Sequence, residues 1–195
     1  MTCEVLHYTP LIVASKAIRK CWNSQHLSDD GGEKDLVVID RVGNKFNHKS
    51  TLRHCHITFD CNDVSTKTLL ALTRYTVGKE ISVESTRYTT SKRADVLSVT
   101  YAGDNLVNDA LDKIMGIVRE CINRGCKNDD VAMLLPQAYN YSFVVTFNIE
   151  SLQWFLHQRE KKAAHWDIQN FAKMLRANIP ESYRYLFSME SYDHA

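Results

Sequence analysis

Apolar residues recur along this chain with two periods, and the change from one to the other marks its elements. From Asp104 to Asn123, Leu106, Val107, Ala110, Leu111, Ile114, Ile117, Val118 and Cys121 trace one face at helical spacing. Ala14 to Cys21 predicts an amphipathic helix through Ile18 and Cys21. Asp35 to Phe46 predicts another through Leu36, Ile39 and Val42. Between them, the stretch from Ser28 to Glu33 holds Gly31 and Gly32 and breaks the pattern. Period-two alternation of Cys55, Ile57 and Phe59 with His54, His56 and Thr58 predicts a strand over His54 to Asp60. Tyr141 to Asn148, rich in β-branched and aromatic residues, predicts a strand buried on both faces. Further helices are expected over Asp63 to Thr73, Ser151 to Glu160 and Ala163 to Ala177, with a last short one opened by Pro180. Asn148 stands where a helix N-cap belongs. Strands and helices mix without βαβ alternation, which predicts an α+β fold. With no repeats or linker-like tracts, residues 1–195 read as one domain.

Charge narrows the function classes. Lys plus Arg, 24, nearly cancels Asp plus Glu, 23, so no basic excess exists to hold nucleic acid. The apolar run Leu11 to Ala14 is too short for a membrane span or a signal sequence, so no membrane partner and a cytoplasmic location are expected. The six cysteines form no CxxC pair, which predicts free thiols, many of them buried, and no zinc site.

A few residues could carry chemistry. Arg159 follows Leu152, Phe155 and Leu156 at helical spacing. It reads either as a helix-end arginine reaching solvent or as a charged fork aimed into a cleft. In the segment from Ser82 to Tyr88, an extended chain would point Val83, Ser85 and Arg87 one way, so hydroxyl and guanidinium could grip a phosphate together. The alternative is a polar surface loop. His54 and His56 share a predicted strand face, as satisfied histidines or as partners stacking on a cofactor. No further ligand stands at metal-site spacing. His165 and Trp166 read as helix packing. No P-loop or Rossmann turn is present, so any nucleotide or flavin is held by other means.

Three ordered stretches resemble the flavin-dependent thymidylate synthase (ThyX) family. The segment from His48 to His54 resembles the family's H-x-S/T-x-x-E-H element, followed by Thr58 and Phe59 ending a strand. The segment from Arg74 to Tyr88 resembles the signature RHRx7S followed by x-R-Y. Leu135 and Pro136, then Asn148 to Arg159 and Ala164 to Gln169, resemble its C-terminal half. The resemblance implies a central, mostly antiparallel sheet flanked by helices, and a homotetramer with active sites shared between subunits. It implies FAD, methylenetetrahydrofolate as carbon donor and NADPH as reductant, acting on a pyrimidine deoxynucleoside monophosphate. On that pattern Arg159 is the catalytic arginine that polarises the pyrimidine, raising electron density at C5 without a cysteine nucleophile. Arg74, Ser85, Thr86 and Arg87 match substrate-binding positions. His54, His56, Arg74 and Asn148 match the flavin side.

The chain also departs from the pattern. Tyr75 and Thr76 replace the signature's His and second Arg, and Ala132 stands at an expected arginine. Glu150 stands where Asn-Ala-Arg carries its arginine, and Trp154 replaces an asparagine. The first expectation is methylation of dUMP to dTMP. A flavin-dependent hydroxymethylase acting on dCMP is an alternative, since a carboxylate such as that of Glu150 would suit an exocyclic amine. A non-catalytic relative acting as a binding subunit is another.

Overall fold

A computed structural model describes residues 1–92 and 97–188. Four strands, β1 (Thr2–Tyr8), β2 (His56–Ser65), β3 (Lys79–Val83) and β4 (Asn140–Asn148), pair in the order β1-β2-β4-β3. The sheet is antiparallel with flanking helices, so the α+β expectation holds. The helices are α1 (Ile12–Cys21), α2 (Glu33–Ile39), α3 (Thr66–Thr73), α4 (Thr86–Thr89), α5 (Asn105–Asn123), α6 (Asn128–Ala132), α7 (Ile149–Arg159) and α8 (Trp166–Ala177).

The chain groups into two compact units. The first holds Met1–Thr2, Cys61–Arg74 and Ile81–Val144; the second holds Cys3–Asp60, Tyr75–Glu80 and the chain from Val145 onward. In the first unit Leu97, Met115, Val118, Val131 and Tyr139 form a buried cluster. The second centres on packed rings, with Phe147 tilted at 5.5 Å and Phe171 edge-on at 6.2 Å from Phe155.

Several expected boundaries move for local reasons. His54 is not in a strand: Lys49–His54 forms a 3-10 turn, and β2 opens only at His56. The strand then runs on to Ser65, because Phe59, Cys61 and Val64 keep facing the core and Ser65 is the residue that caps a helix. Its side chain accepts from the Thr68 amide at 3.1 Å, so α3 starts at Thr66 rather than Asp63. The helix expected to Phe46 ends at Ile39, and Asp40–Lys45 continues as a wider π-helical turn. There Gly43 lets the buried Leu52 approach, since a Cβ at that glycine would sit 2.9 Å from the Leu52 Cδ2. Helix α8 starts at Trp166 because His165 caps it, its Nδ1 accepting from the Asp167 amide at 3.3 Å. His165 is therefore a cap, and Trp166 is exposed.

Two readings of burial are corrected. Along β4 the end residues Asn140 and Asn148 are buried, and between them Phe143, Val145 and Phe147 are buried while Ser142, Val144 and Thr146 are half-buried. The strand thus has one dry face, as an antiparallel strand commonly does. On α5 only Leu111, Met115 and Val118 are buried, whereas Leu106 and Ile117 are 78% and 55% exposed. The apolar arc of that helix is wider than the core it covers in this chain.

Candidate active site

In the second unit the N-terminus of α7 is built by a short closed circuit. The Asn148 side chain accepts from the Ser151 amide at 2.8 Å, so the expected N-cap is present. The Asn148 backbone amide donates to the Gly78 carbonyl at 2.8 Å, and the Ser151 hydroxyl donates to the Val77 carbonyl at 2.9 Å. Gly78 has φ +66° and no room for a side chain: a Cβ there would lie 2.1 Å from the Asn148 Nδ2. Gln153, farther along α7, donates to the Asn44 side chain at 3.1 Å and the Leu186 carbonyl at 2.6 Å. The helix that ends in Arg159 is therefore fixed at its start and along its buried side.

At the other end of α7, Arg159 is half-buried and makes no hydrogen bond or ion pair with any described residue. Its Nε is enclosed without a partner, and its Cζ lies 5.7 Å from the centre of the Tyr75 ring. The neighbouring carboxylate, Glu160, is held by Arg176 through contacts of 2.6 and 2.7 Å, so it does not neutralise Arg159. Trp154, 53% exposed, packs on Tyr75. Burial raises the Tyr75 hydroxyl to about 12 against the opposing pull of Arg159, so the phenol stays neutral at physiological pH. The helix-end reading of Arg159 is half right: it ends the helix, yet it is not simply released to solvent.

His54 and His56 are exposed on either side of the buried Cys55. They flank one core residue, but the shared strand face is lost because His54 belongs to the preceding turn. Next to His54, Arg53 forms a two-pronged ion pair with Glu150, including an Arg53 Nη2 to Glu150 Oε1 contact of 3.2 Å. Arg53 stands where the H-x-S/T-x-x-E-H element has its glutamate, and Glu150 where the Asn-Ala-Arg stretch has its arginine, so the two departures meet in one ion pair. The Glu150 carboxylate already has a guanidinium partner. Neither the pairing of Arg53 nor the part played by Tyr75 was singled out from sequence; both partners lie far off along the chain, and no local signal marks them.

In the first unit Arg74 is exposed just past α3, without a partner among the described residues. Ser85 leads into α4, its hydroxyl making no capping bond. Arg87 lies within α4, so the extended segment pointing Val83, Ser85 and Arg87 one way is not what forms. The strand ends at Val83, because Ser85 and Thr86 accept backbone bonds from Tyr88, Thr89 and Thr90 and close a helical turn. Arg87 instead meets Asp129 of α6, Nε to Oδ1 at 3.0 Å, with both side chains mostly exposed. Asn128 ties the two helices by donating to the Arg87 carbonyl at 2.8 Å. Ala132 ends that same α6, so the face offers one arginine and one carboxylate where two arginines were expected.

Clefts of about 380 and 410 Å³ lie along α1, α2 and the π-helical turn, and include none of these residues. Among the described residues no group of His, Cys, Asp and Glu is placed to hold a metal ion, and no helix is long and apolar enough to cross a membrane. The six cysteines are free thiols, Cys55 and Cys61 buried, Cys21 and Cys126 exposed.

The second unit thus keeps an arginine without a counter-charge among the described residues beside aromatic rings, and the first unit keeps one among hydroxyls. Comparison with known proteins gives the family. The family model described as thymidylate synthase complementing protein matches residues 4–182. The flavin-dependent thymidylate synthase of Wolinella succinogenes is 37% identical over 97% of this chain and 98% of its own length. That of Campylobacter jejuni is 34% identical over 96% of each. A crystal structure of ThyX from Helicobacter pylori, complexed with FAD and dUMP, superposes with a TM-score of 0.90 at 34% identity, covering 96% of this chain and 98% of that one. The chain belongs to the flavin-dependent thymidylate synthase family.

Proposed function

We propose that this chain is an FAD-dependent thymidylate synthase that transfers the methylene of methylenetetrahydrofolate to C5 of dUMP, with NADPH as reductant, in the cytoplasm. The observation that carries the reading is Arg159, a half-buried guanidinium with an enclosed Nε and no counter-charge among the described residues. A cation kept in that state favours a ligand that brings negative charge to it. Its terminal amino groups suit the N3 and O2 edge of a pyrimidine, where they stabilise the charge that builds as C5 becomes nucleophilic. Activation of this kind uses no covalent bond to a cysteine.

The residues present also fit a flavin. In the second unit the uncompensated Arg159 and the exposed imidazoles of His54 and His56 offer donors and ring faces, and Asn148 offers an amide; in the first unit Arg74 offers a guanidinium of its own. Bound FAD supplies the reducing equivalents that turn the transferred carbon into a methyl group. In the first unit Ser85, Thr86 and Arg87 suit the nucleotide phosphate. A dianionic phosphate competes well for Arg87, because its present partner Asp129 is exposed and the pair is weak in water. Leu106, Val107, Ile114 and Ile117 leave an apolar strip of α5 facing water, which supports assembly of identical chains into the expected homotetramer. The dCMP reading gains nothing from Glu150, whose carboxylate is occupied by Arg53.

Replacing Arg159 by Ala tests the assignment. Loss of one preorganised donor lowers turnover of dUMP by about 100- to 1000-fold. The protein should stay folded and yellow, and Arg159→Lys should also be poor, because an ammonium lacks the planar fork. Unchanged dTMP formation in Arg159→Ala, followed by mass spectrometry, would overturn the reading.

A further inference from the structure

Among the described residues, no hydrogen bond holds Arg159 in place. Its Nε is buried without a partner among the described residues, and so is the Tyr75 hydroxyl. The contact between them is the aromatic face, with the guanidinium carbon 5.7 Å from the ring centre. The ring is itself braced by Trp154 at 4.6 Å and 56° and by Phe155 at 5.4 Å and 80°. The face of an aromatic ring carries negative potential and attracts a cation within about 6 Å, Arg above all.

We propose that Tyr75 is a positioning residue whose ring is the shelf on which the Arg159 guanidinium is oriented towards the substrate base. The inference rests on the reading of Arg159 given above. A carboxylate would hold an arginine at least as firmly, but it would consume the charge and the donors that a polarised pyrimidine needs. An aromatic face steadies the same group and leaves both available. The surroundings agree with this division. Arg176 removes Glu160 from competition, and the phenol stays neutral, so no counter-charge develops beside Arg159 as pH rises through the physiological range. The hydroxyl has no partner among the described residues, and the contact with Arg159 is made by the ring face, so the ring is the working part of Tyr75.

The test uses the FAD-loaded protein with three variants. Tyr75→Phe keeps the face, while Tyr75→Leu and Tyr75→Met remove it. In protein labelled with ¹⁵N at arginine, the Arg159 Nε–H resonance is identified by its loss in Arg159→Lys. It should be displaced by the ring current in the wild type and in Tyr75→Phe, and return to an ordinary position in the other two. Turnover of dUMP should stay within about twofold in Tyr75→Phe and fall roughly tenfold in Tyr75→Leu and Tyr75→Met. The loss should appear in kcat and dUMP affinity and leave the KM for the folate donor unchanged. An undisplaced Arg159 resonance in the wild type overturns the proposal, and that measurement stands even where a variant fails to fold. So does full turnover in a variant that has lost the ring shift, or a Tyr75→Phe loss as deep as that of Tyr75→Leu. A resonance that follows Tyr75 while Arg159→Ala still makes dTMP would leave the shelf standing and remove the role assigned to Arg159.

Discussion

Replacing Gly78 by alanine should unseat the start of α7. The new Cβ would fall 2.1 Å from the Asn148 Nδ2 and 2.3 Å from the Ser151 Oγ, far inside van der Waals contact. Neither group can yield freely: Asn148 caps the helix through the Ser151 amide, and the Ser151 hydroxyl is bonded to the Val77 carbonyl. Holding a non-glycine residue at φ +66° costs about 1–2 kcal/mol. Loss of the cap costs about 1 kcal/mol, and loss of the hydroxyl bond about 0.5–1.5 kcal/mol. Together these come to about 3 kcal/mol, which for a chain of this size lowers Tm by roughly 6–12 °C. Gly103→Ala is the control, since a Cβ there meets nothing within 4 Å. Thermal unfolding followed by circular dichroism reads the difference. If Asn148 contacts the flavin, Gly78→Ala should also come off the column paler than the wild type. A Gly78→Ala midpoint within about 2 °C of the Gly103→Ala midpoint would refute the account of this turn.

Two other perturbations test the packing and the phosphate-binding face. Arg19 and Asp35 form a buried pair, Nε to Oδ1 at 2.6 Å, so Asp35→Ala strands the guanidinium and should cost about 3–5 kcal/mol in urea unfolding. Burial raises the Asp35 carboxyl, but bonds from Ser28, Ser15, the Gly31 amide and Arg19 outweigh it and hold the group well below the usual carboxylate range. Its stabilisation is therefore fully present above about pH 4 and is lost as pH falls further, and the wild type should converge on Asp35→Ala in acid. Asp129→Ala frees the exposed Arg87 at a stability change under about 0.5 kcal/mol. It should tighten dUMP binding in calorimetry, and weaker binding would remove Arg87 from the phosphate.

How much of this was legible depended on how local each cause is. Asn148 could be read as a cap because the groups it satisfies follow within one turn. Strands β1 and β3 were not expected: their burial is broken and mostly shallow, so neither carries the clean alternation that marks β2. The α5 face was visible as a period, but a period does not distinguish residues that fill this chain's core from those left for another surface. Leu111 and Leu106 look alike in sequence and differ completely in exposure. At the site, Arg159 was legible as a residue on the inner stripe of its helix. That it is uncompensated depends on Arg176 claiming Glu160, and its support depends on Tyr75. Arg87 was legible as a cation beside hydroxyls, but its present carboxylate lies on a separate helix.

The ion pair of Arg53 and Glu150 makes two distant stretches of sequence a matched set. Compared position by position with the family pattern, this chain loses an acid in one place and a base in another, and each loss looks like damage. In three dimensions the two replacing residues meet in one ion pair. A hybrid chain that took its 48–54 segment from a relative following the pattern would set a glutamate against Glu150. One that took the start of α7 instead would set an arginine against Arg53. Either donor segment would be mismatched here, so in this chain the two sides of that contact can be replaced only together.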